Sequence, residues 1–241
     1  MREHVAAALE AAALAGASYA DARVVETRRE HLAVRTGRVE GVEHGESLGI
    51  GIRVITDGAW GFAATADLSP DGVRSAAREA VALARASATT AREPVRLAPV
   101  GVYTDTWTGP CEIDPFGVSV EDKLTLMLAA DEAMRAEAAV RVSAASMDFL
   151  HVRKVFGSSD GSLIEQAYTE SQAGIVAYAI GDGEMLPRSY PNNLGGQAVQ
   201  GGWEAIVALD LAGNAPRVGE QAAALLSAAP CPAETTTVII D

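Results

Sequence analysis

The sequence predicts an α+β fold built as two similar helix–antiparallel meander–helix units. Three observations carry that prediction. Apolar residues recur at helical spacing in four stretches, β-prone runs fill the intervals, and the turns inside those intervals are too short for parallel crossovers. The order helix, strands, helix is also written twice along 241 residues. Thr36-Gly37 answers Asp160-Gly161, and Asp57-Gly58 answers Asp182-Gly183, at nearly constant offset. The units are placed at 1–93 and 118–229, with a connecting segment at 94–117 and a junction at 230–241.

The first helix is expected over 2–16, where Val5, Ala8, Leu9, Ala12 and Ala13 form a stripe. Five short strand-like runs follow: Val24-Val25, His31–Val34, Val39–Val42, Leu48–Ile55 and Trp60–Ala63. Thr36-Gly37, His44-Gly45 and Asp57-Gly58 read as the turns between them; Asp-Gly readily supplies the positive φ angles of a two-residue hairpin. Ser69-Pro70-Asp71 gives a cap, a proline at the first helical position and an acid near the positive helix end. That helix is expected to reach about Ala86 on Val73, Ala77, Ala80, Val81 and Ala84. Pro94, Pro99, Pro110 and Pro115 mark the connecting segment.

The second unit opens on Ser119-Val-Glu-Asp122, a capping-box pattern before Leu124, Met127, Leu128, Met134 and Ala138. Strand-like runs fall at 140–149, 151–156, 162–168, 173–180 and 184–190. The glycine-rich break at 195–202 reads either as a mobile loop over a site or as a linker. A last helix is expected after Asn214-Ala-Pro216, with Val218, Ala222, Leu225 and Leu226 on one face. Beyond Pro230-Cys-Pro232, the run Thr235–Asp241 reads as a fresh strand. It is either an edge strand of the second unit or, the preferred reading, the start of a further domain.

Composition bounds the function. The chain is 49% hydrophobic with no run near the roughly 20 apolar residues of a membrane span, and no signal-peptide core follows Met1. A cytoplasmic protein is expected. With 19 basic against 32 acidic residues the formal charge is −13, a field that repels phosphate backbones, so direct nucleic-acid binding is not expected. Two cysteines, Cys111 and Cys231, are expected to be free thiols.

Residues with chemistry are sparse. The four histidines, His4, His31, His44 and His151, have no metal-pair spacing. His151 lies three residues after Asp148, on the opposite face of a strand, which argues against a dyad between them. Cys111, Glu112 and Asp114 lack a nearby histidine and are not a convincing ligand set. Ser158-Ser159-Asp160-Gly161-Ser162 reads as a hairpin tip, and Gly49-Ile-Gly51 sits in a strand where glycine permits close backbone approach or a bulge. No catalytic residue and no metal ligand is assigned. The cluster Arg188-Ser189-Tyr190-Pro191-Asn192-Asn193 suits peptide or carboxylate recognition, making Arg188 and Tyr190 the candidate substrate-binding residues. The alternative is a polar strand end with Arg188 paired to Glu184.

Several of these runs resemble one family. Tyr19-Ala-Asp21-Ala-Arg23, Val34-Arg-Thr-Gly-Arg38-Val-Glu40-Gly-Val42 and Gly49-Ile-Gly-Ile-Arg53-Val-Ile-Thr-Asp-Gly-Ala-Trp60-Gly-Phe-Ala-Ala64-Thr resemble the TldD/PmbA family, known as gyrase modulators and metallopeptidases. Gly157-Ser-Ser-Asp-Gly161-Ser-Leu-Ile-Glu165-Gln, Arg188-Ser-Tyr190-Pro and Pro230-Cys-Pro-Ala-Glu-Thr-Thr-Thr-Val238 fit it too, TldD more than PmbA. The resemblance implies a zinc site formed by a His-Glu-x-x-x-His helix and a later cysteine in a C-terminal domain; no position here matches that motif. It therefore implies an N-terminal region that shapes a cleft for extended peptides and binds no zinc itself. It also implies a homodimer, or a heterodimer with a PmbA-like homologue. The alternative is a complete, non-catalytic peptide-binding or partner subunit.

Overall fold

The structure is a computed structural model; it describes residues 1–181 and 183–229, and of the rest only 233, 235, 237 and 238. Most of the expected strand at 235–241, the junction around Cys231 and Asp182 of the second Asp-Gly turn lie outside the described residues. In chain order the elements are α1 (Arg2–Leu14), β1 (Tyr19–Arg35), β2 (Arg38–Thr56), β3 (Ala59–Thr65), α2 (Pro70–Ala88), β4 (Thr104–Thr108) and a 3-10 turn (Pro115–Gly117). There follow α3 (Val120–Arg135), β5 (Val140–Ser158), β6 (Leu163–Gly181), β7 (Glu184–Tyr190), β8 (Gln197–Gln200), α4 (Trp203–Ala208) and α5 (Leu211–Leu225).

The α+β class holds, and the strands among the described residues form one eight-stranded sheet in the order β3-β2-β1-β5-β6-β4, with β7 and β8 also on β6. β1 pairs antiparallel with β5 from Asp21↔Ser158 to Arg35↔Ala144, so the two strand meanders join edge to edge. The five short runs of the first unit are three long strands. His44-Gly45 is not a turn: it lies inside β2, opposite Glu30 and Arg29. Only Thr36-Gly37 and Asp57-Gly58 turn the chain, with φ of 47° and 75° and of 53° and 76°. Two further strands escape the sequence pattern: β4 in the connecting segment, parallel to β6, and β8 in the glycine-rich break.

Alternation along β1 decides where the helices go. Its even-numbered residues Ala20, Ala22 and Val24 pack under α1 and α2, and Leu32 and Val34 pack with α3, α4 and α5. Both helical layers therefore cover the same face. The side chains of Ala76, Ala77, Ala80 and Ala84 let α2 lie close to the sheet. Closest approach comes at Gly61, where a Cβ would collide with the Ala80 carbonyl oxygen.

The caps follow the sequence. Ser69 accepts the Gly72 N–H at 3.1 Å and Ser119 accepts the Asp122 N–H at 3.0 Å. The last helix, however, starts at Leu211 and carries Pro216 inside it. Asp210 caps it by accepting the Gly213 N–H, and burial of Leu211 and Ala215 outweighs the lost proline donor. No helix among the described residues is long and apolar enough to cross a membrane.

Candidate functional site

Among the described residues no helix covers the other face of the sheet, where β1 contributes its odd positions: Tyr19, Asp21, Arg23, Val25, Thr27, Arg29 and His31. A cleft of about 660 Å³ crosses five strands there, lined by Arg29, His31, Glu43, Asp148, Glu170 and Gln172 among others. At its centre His31 of β1 and Asp148 of β5 are direct cross-strand partners, with Nδ1 2.7 Å from Oδ1. Both side chains are a little under half exposed. Glu43 is opposite His31 on β2, and Gln172 is opposite Asp148 on β6, so one row of polar side chains runs across four strands.

Behind this row, on the helix-covered face, lies a second polar group. Lys123 of α3 is fully buried, its Nζ paired with Glu30 and 4.7 Å from the centre of the Phe149 ring. Glu30 also reaches His44, Oε2 to Nδ1 3.3 Å. The buried pair ties α3 to the strand that carries His31, and so fixes the floor of the cleft.

A third group sits on the bare face toward β3. Asp21, fully buried, accepts from Arg23 Nη1 at 3.0 Å and from Arg53 Nε and Nη2 at 2.9 and 2.7 Å. Arg53 lies over Trp60, 4.5 Å to the ring centre, and Arg23 over Phe156, 4.9 Å. Tyr19 packs edge-on to Trp60, and its hydroxyl is pushed up in pKa by burial first and then by the Asp21 carboxylate. Asp21, Arg23, Arg53 and Trp60 are spread over three strands in sequence, and the registers Arg23↔Gly51 and Ile55↔Trp60 bring them to one spot.

Arg188 and Tyr190 are brought together, but on the helix-covered face, opposite Ala177 and Ile175. Arg188 donates to Gln221 on α5 at 2.9 Å and to Asn193 at 3.1 Å, with no Glu184 pairing. The Tyr190 hydroxyl donates to the Leu209 carbonyl at 2.9 Å, and Arg217 lies over its ring. Cys111 is exposed; burial and the nearby carboxylates of Glu204 and Asp114 push its thiol up, which disfavours the thiolate. His151 bonds Thr169, at 2.9 Å, and not Asp148. The His31–Asp148 pair was invisible to sequence parity because its members are 117 residues apart. The polar run on odd positions 21, 23, 27, 29 and 31 was the available signal.

A carboxylate-oriented imidazole and a row of polar side chains can bind and orient a polypeptide. A metal centre needs more donors: no three His, Cys, Asp or Glu groups among the described residues are placed to hold an ion. The described residues therefore do not fit a catalytic metal.

Comparison with known proteins agrees with the fold and the motifs. Residues 20–84 match the model of PmbA/TldA metallopeptidase domain 1, and residues 113–229 match that of the PmbA/TldA metallopeptidase central domain. A metalloprotease of Methanothermobacter thermautotrophicus is 27% identical over 223 residues, covering 92% of this chain and 46% of that protein. One from Methanocaldococcus jannaschii is 25% identical over 226 residues, covering 92% and 48%. The chain thus spans about half the length of the curated relatives it matches. A candidate DNA gyrase modulator from Thermotoga maritima superposes with a TM-score of 0.74 at 16% identity, over 96% of this chain and 50% of that one. TldE from Thermococcus kodakarensis does so with a TM-score of 0.65 at 13% identity, over 91% and 47%. With most of its residues matched by two domains of one family, the chain belongs to the PmbA/TldA metallopeptidase family, the TldD/PmbA family that its motifs resemble.

Proposed function

We propose that these residues form the cleft-shaping, non-catalytic region of a cytoplasmic TldD-type zinc metallopeptidase acting on extended or unfolded peptides. The observation that carries this reading is the helix-free sheet face, with its 660 Å³ cleft centred on His31 and Asp148. A polar groove across several strands accommodates an extended chain better than a compact ligand. The metal chemistry would come from the part of such a protein that these residues do not match. Arg188 and Tyr190 remain proposed peptide contacts. Both are half-buried, and each would have to share its present partner with the ligand.

A second reading, a peptide-binding or partner subunit in a homodimer or PmbA-like heterodimer, is favoured by the edge of β2. β3 covers only residues 50–56 of that strand, leaving the segment before Ile50 without a neighbour on that side among the described residues. Such an edge can accept a strand.

The test uses the purified 241 residues with labelled extended and folded peptides, with and without zinc. Binding of extended peptides without hydrolysis is expected in both conditions. Hydrolysis by these residues alone would overturn the non-catalytic role, and failure to bind any extended peptide would overturn the cleft. Strand addition along β2 would instead appear as loss of amide exchange at residues 38–49, favouring the second reading.

A further inference from the structure

We propose that Arg23, held by Asp21 and Phe156, is a carboxylate-recognition site on the bare sheet face for an extended peptide; this rests on the peptide-binding reading above. Asp21 organises two guanidiniums with one carboxylate, so the group keeps a surplus positive charge within a chain of net −13. The two arginines use different edges. Arg53 turns its Nε–Nη2 edge onto Asp21, whereas Arg23 gives only Nη1. Among the described residues, Arg23 Nε and Nη2 have no hydrogen-bond partner. These two parallel N–H groups are the edge that grips a carboxylate with two bonds.

The surroundings leave room for that carboxylate. Directly opposite Arg23 on β2 is Gly51, and opposite its neighbour on the same face, Val25, is Gly49. With no side chains there, a depression of about 420 Å³ opens beside Arg23, lined by Val25, Ser47, Gly49 and Gly51 among others. The ring of Phe62 stands over Gly51, and Phe156 backs the Arg23 guanidinium. A guanidinium stacked on a ring keeps its edge N–H groups in plane and free to bond. Asp21 is the reason the fork is rigid: a fully buried carboxylate without both arginines would be an uncompensated buried charge. The ligand is therefore a carboxylate, from a free peptide C-terminus or an acidic side chain, with small or extended neighbours that fit a glycine-floored groove.

The test compares three N-terminally labelled, uncharged extended decapeptides by fluorescence anisotropy: one with a free C-terminus, one amidated, and one amidated with an internal Glu. Tighter binding of either carboxylate peptide than of the neutral amide, by about 10-fold or more, is expected. Which of the two gains identifies the source. Arg23→Gln is expected to abolish the difference between the carboxylate peptides and the neutral amide. Equal binding of all three by the unmodified protein overturns the site and leaves the peptide reading intact, as does a difference that survives Arg23→Gln. Absence of binding by all three overturns the peptide reading and the site together. Because the comparison among peptides is made on the unmodified protein, it does not depend on how well the variant folds.

Discussion

His31 Nδ1 and Asp148 Oδ1 meet at 2.7 Å across the join between β1 and β5, where the strands of the two halves pair. The contact is part-exposed, so water screens it, and its worth is that of an ordinary cross-strand polar pair. A double-mutant cycle of His31→Ala and Asp148→Ala is expected to give a coupling of about 0.2–1 kcal/mol in urea unfolding. A coupling indistinguishable from zero would show that the pair does not hold the join.

Lys123 and Glu30 sit at the other extreme, both buried. Removing Lys123 leaves the Glu30 carboxylate in the core with only the half-exposed His44 in reach among the described residues. Lys123→Met alone is expected to cost about 3–5 kcal/mol, whereas Lys123→Met with Glu30→Leu should lie within about 1–2 kcal/mol of the unmodified protein. Additive losses in the double variant would contradict this account.

Much of the fold was legible because local signals and packing agree. Ser69-Pro70-Asp71 and Ser119-Val-Glu-Asp122 start helices where written, and Thr36-Gly37 and Asp57-Gly58 adopt the positive φ angles that hairpins need. The errors share one cause. His44-Gly45, Pro216 and the run around Trp107 carry local breaking or linker signals that long-range pairing overrides. The candidate site was barely legible for the same reason. His31 with Asp148, and Asp21 with Arg53, become neighbours only through strand register, while Arg188 and Tyr190, conspicuous as a local cluster, lie on the face away from the cleft.

Gly61 is the point where α2 and β3 nearly touch. Its missing side chain is a packing requirement, because a Cβ would meet the Ala80 carbonyl and the Ala84 backbone and methyl. Gly61→Ala is expected to destabilise the protein by about 1–3 kcal/mol despite the better strand propensity of alanine. Thermal unfolding checks this, and an unchanged or raised midpoint would mean that α2 can move off the sheet without cost.

Glu204, at the start of α4, staples the loop that carries Cys111. Its carboxylate accepts N–H groups from Gly202 at 2.6 Å, Ile113 at 2.9 Å and Glu112 at 3.2 Å. Burial is the largest single influence and favours the protonated acid, but the backbone donors together outweigh it and lower the pKa. A lowered folded pKa means that the unfolded chain binds the proton more readily. The staple's contribution is therefore complete above the ordinary carboxylate value of about 4.3 and is lost progressively as pH falls from there through the lowered folded value. Glu204→Gln should lower the thermal midpoint at pH 7 by about 2–4 °C, the size of one charge-assisted contact of about 1 kcal/mol. It should also speed amide exchange at Glu112 and Ile113. As pH falls through the lowered folded value, the unmodified protein and the variant should converge, since both then present an uncharged side chain to the same donors. A gap that stays constant down to the lowest pH at which the protein remains folded would show that the carboxylate charge is not what holds the loop.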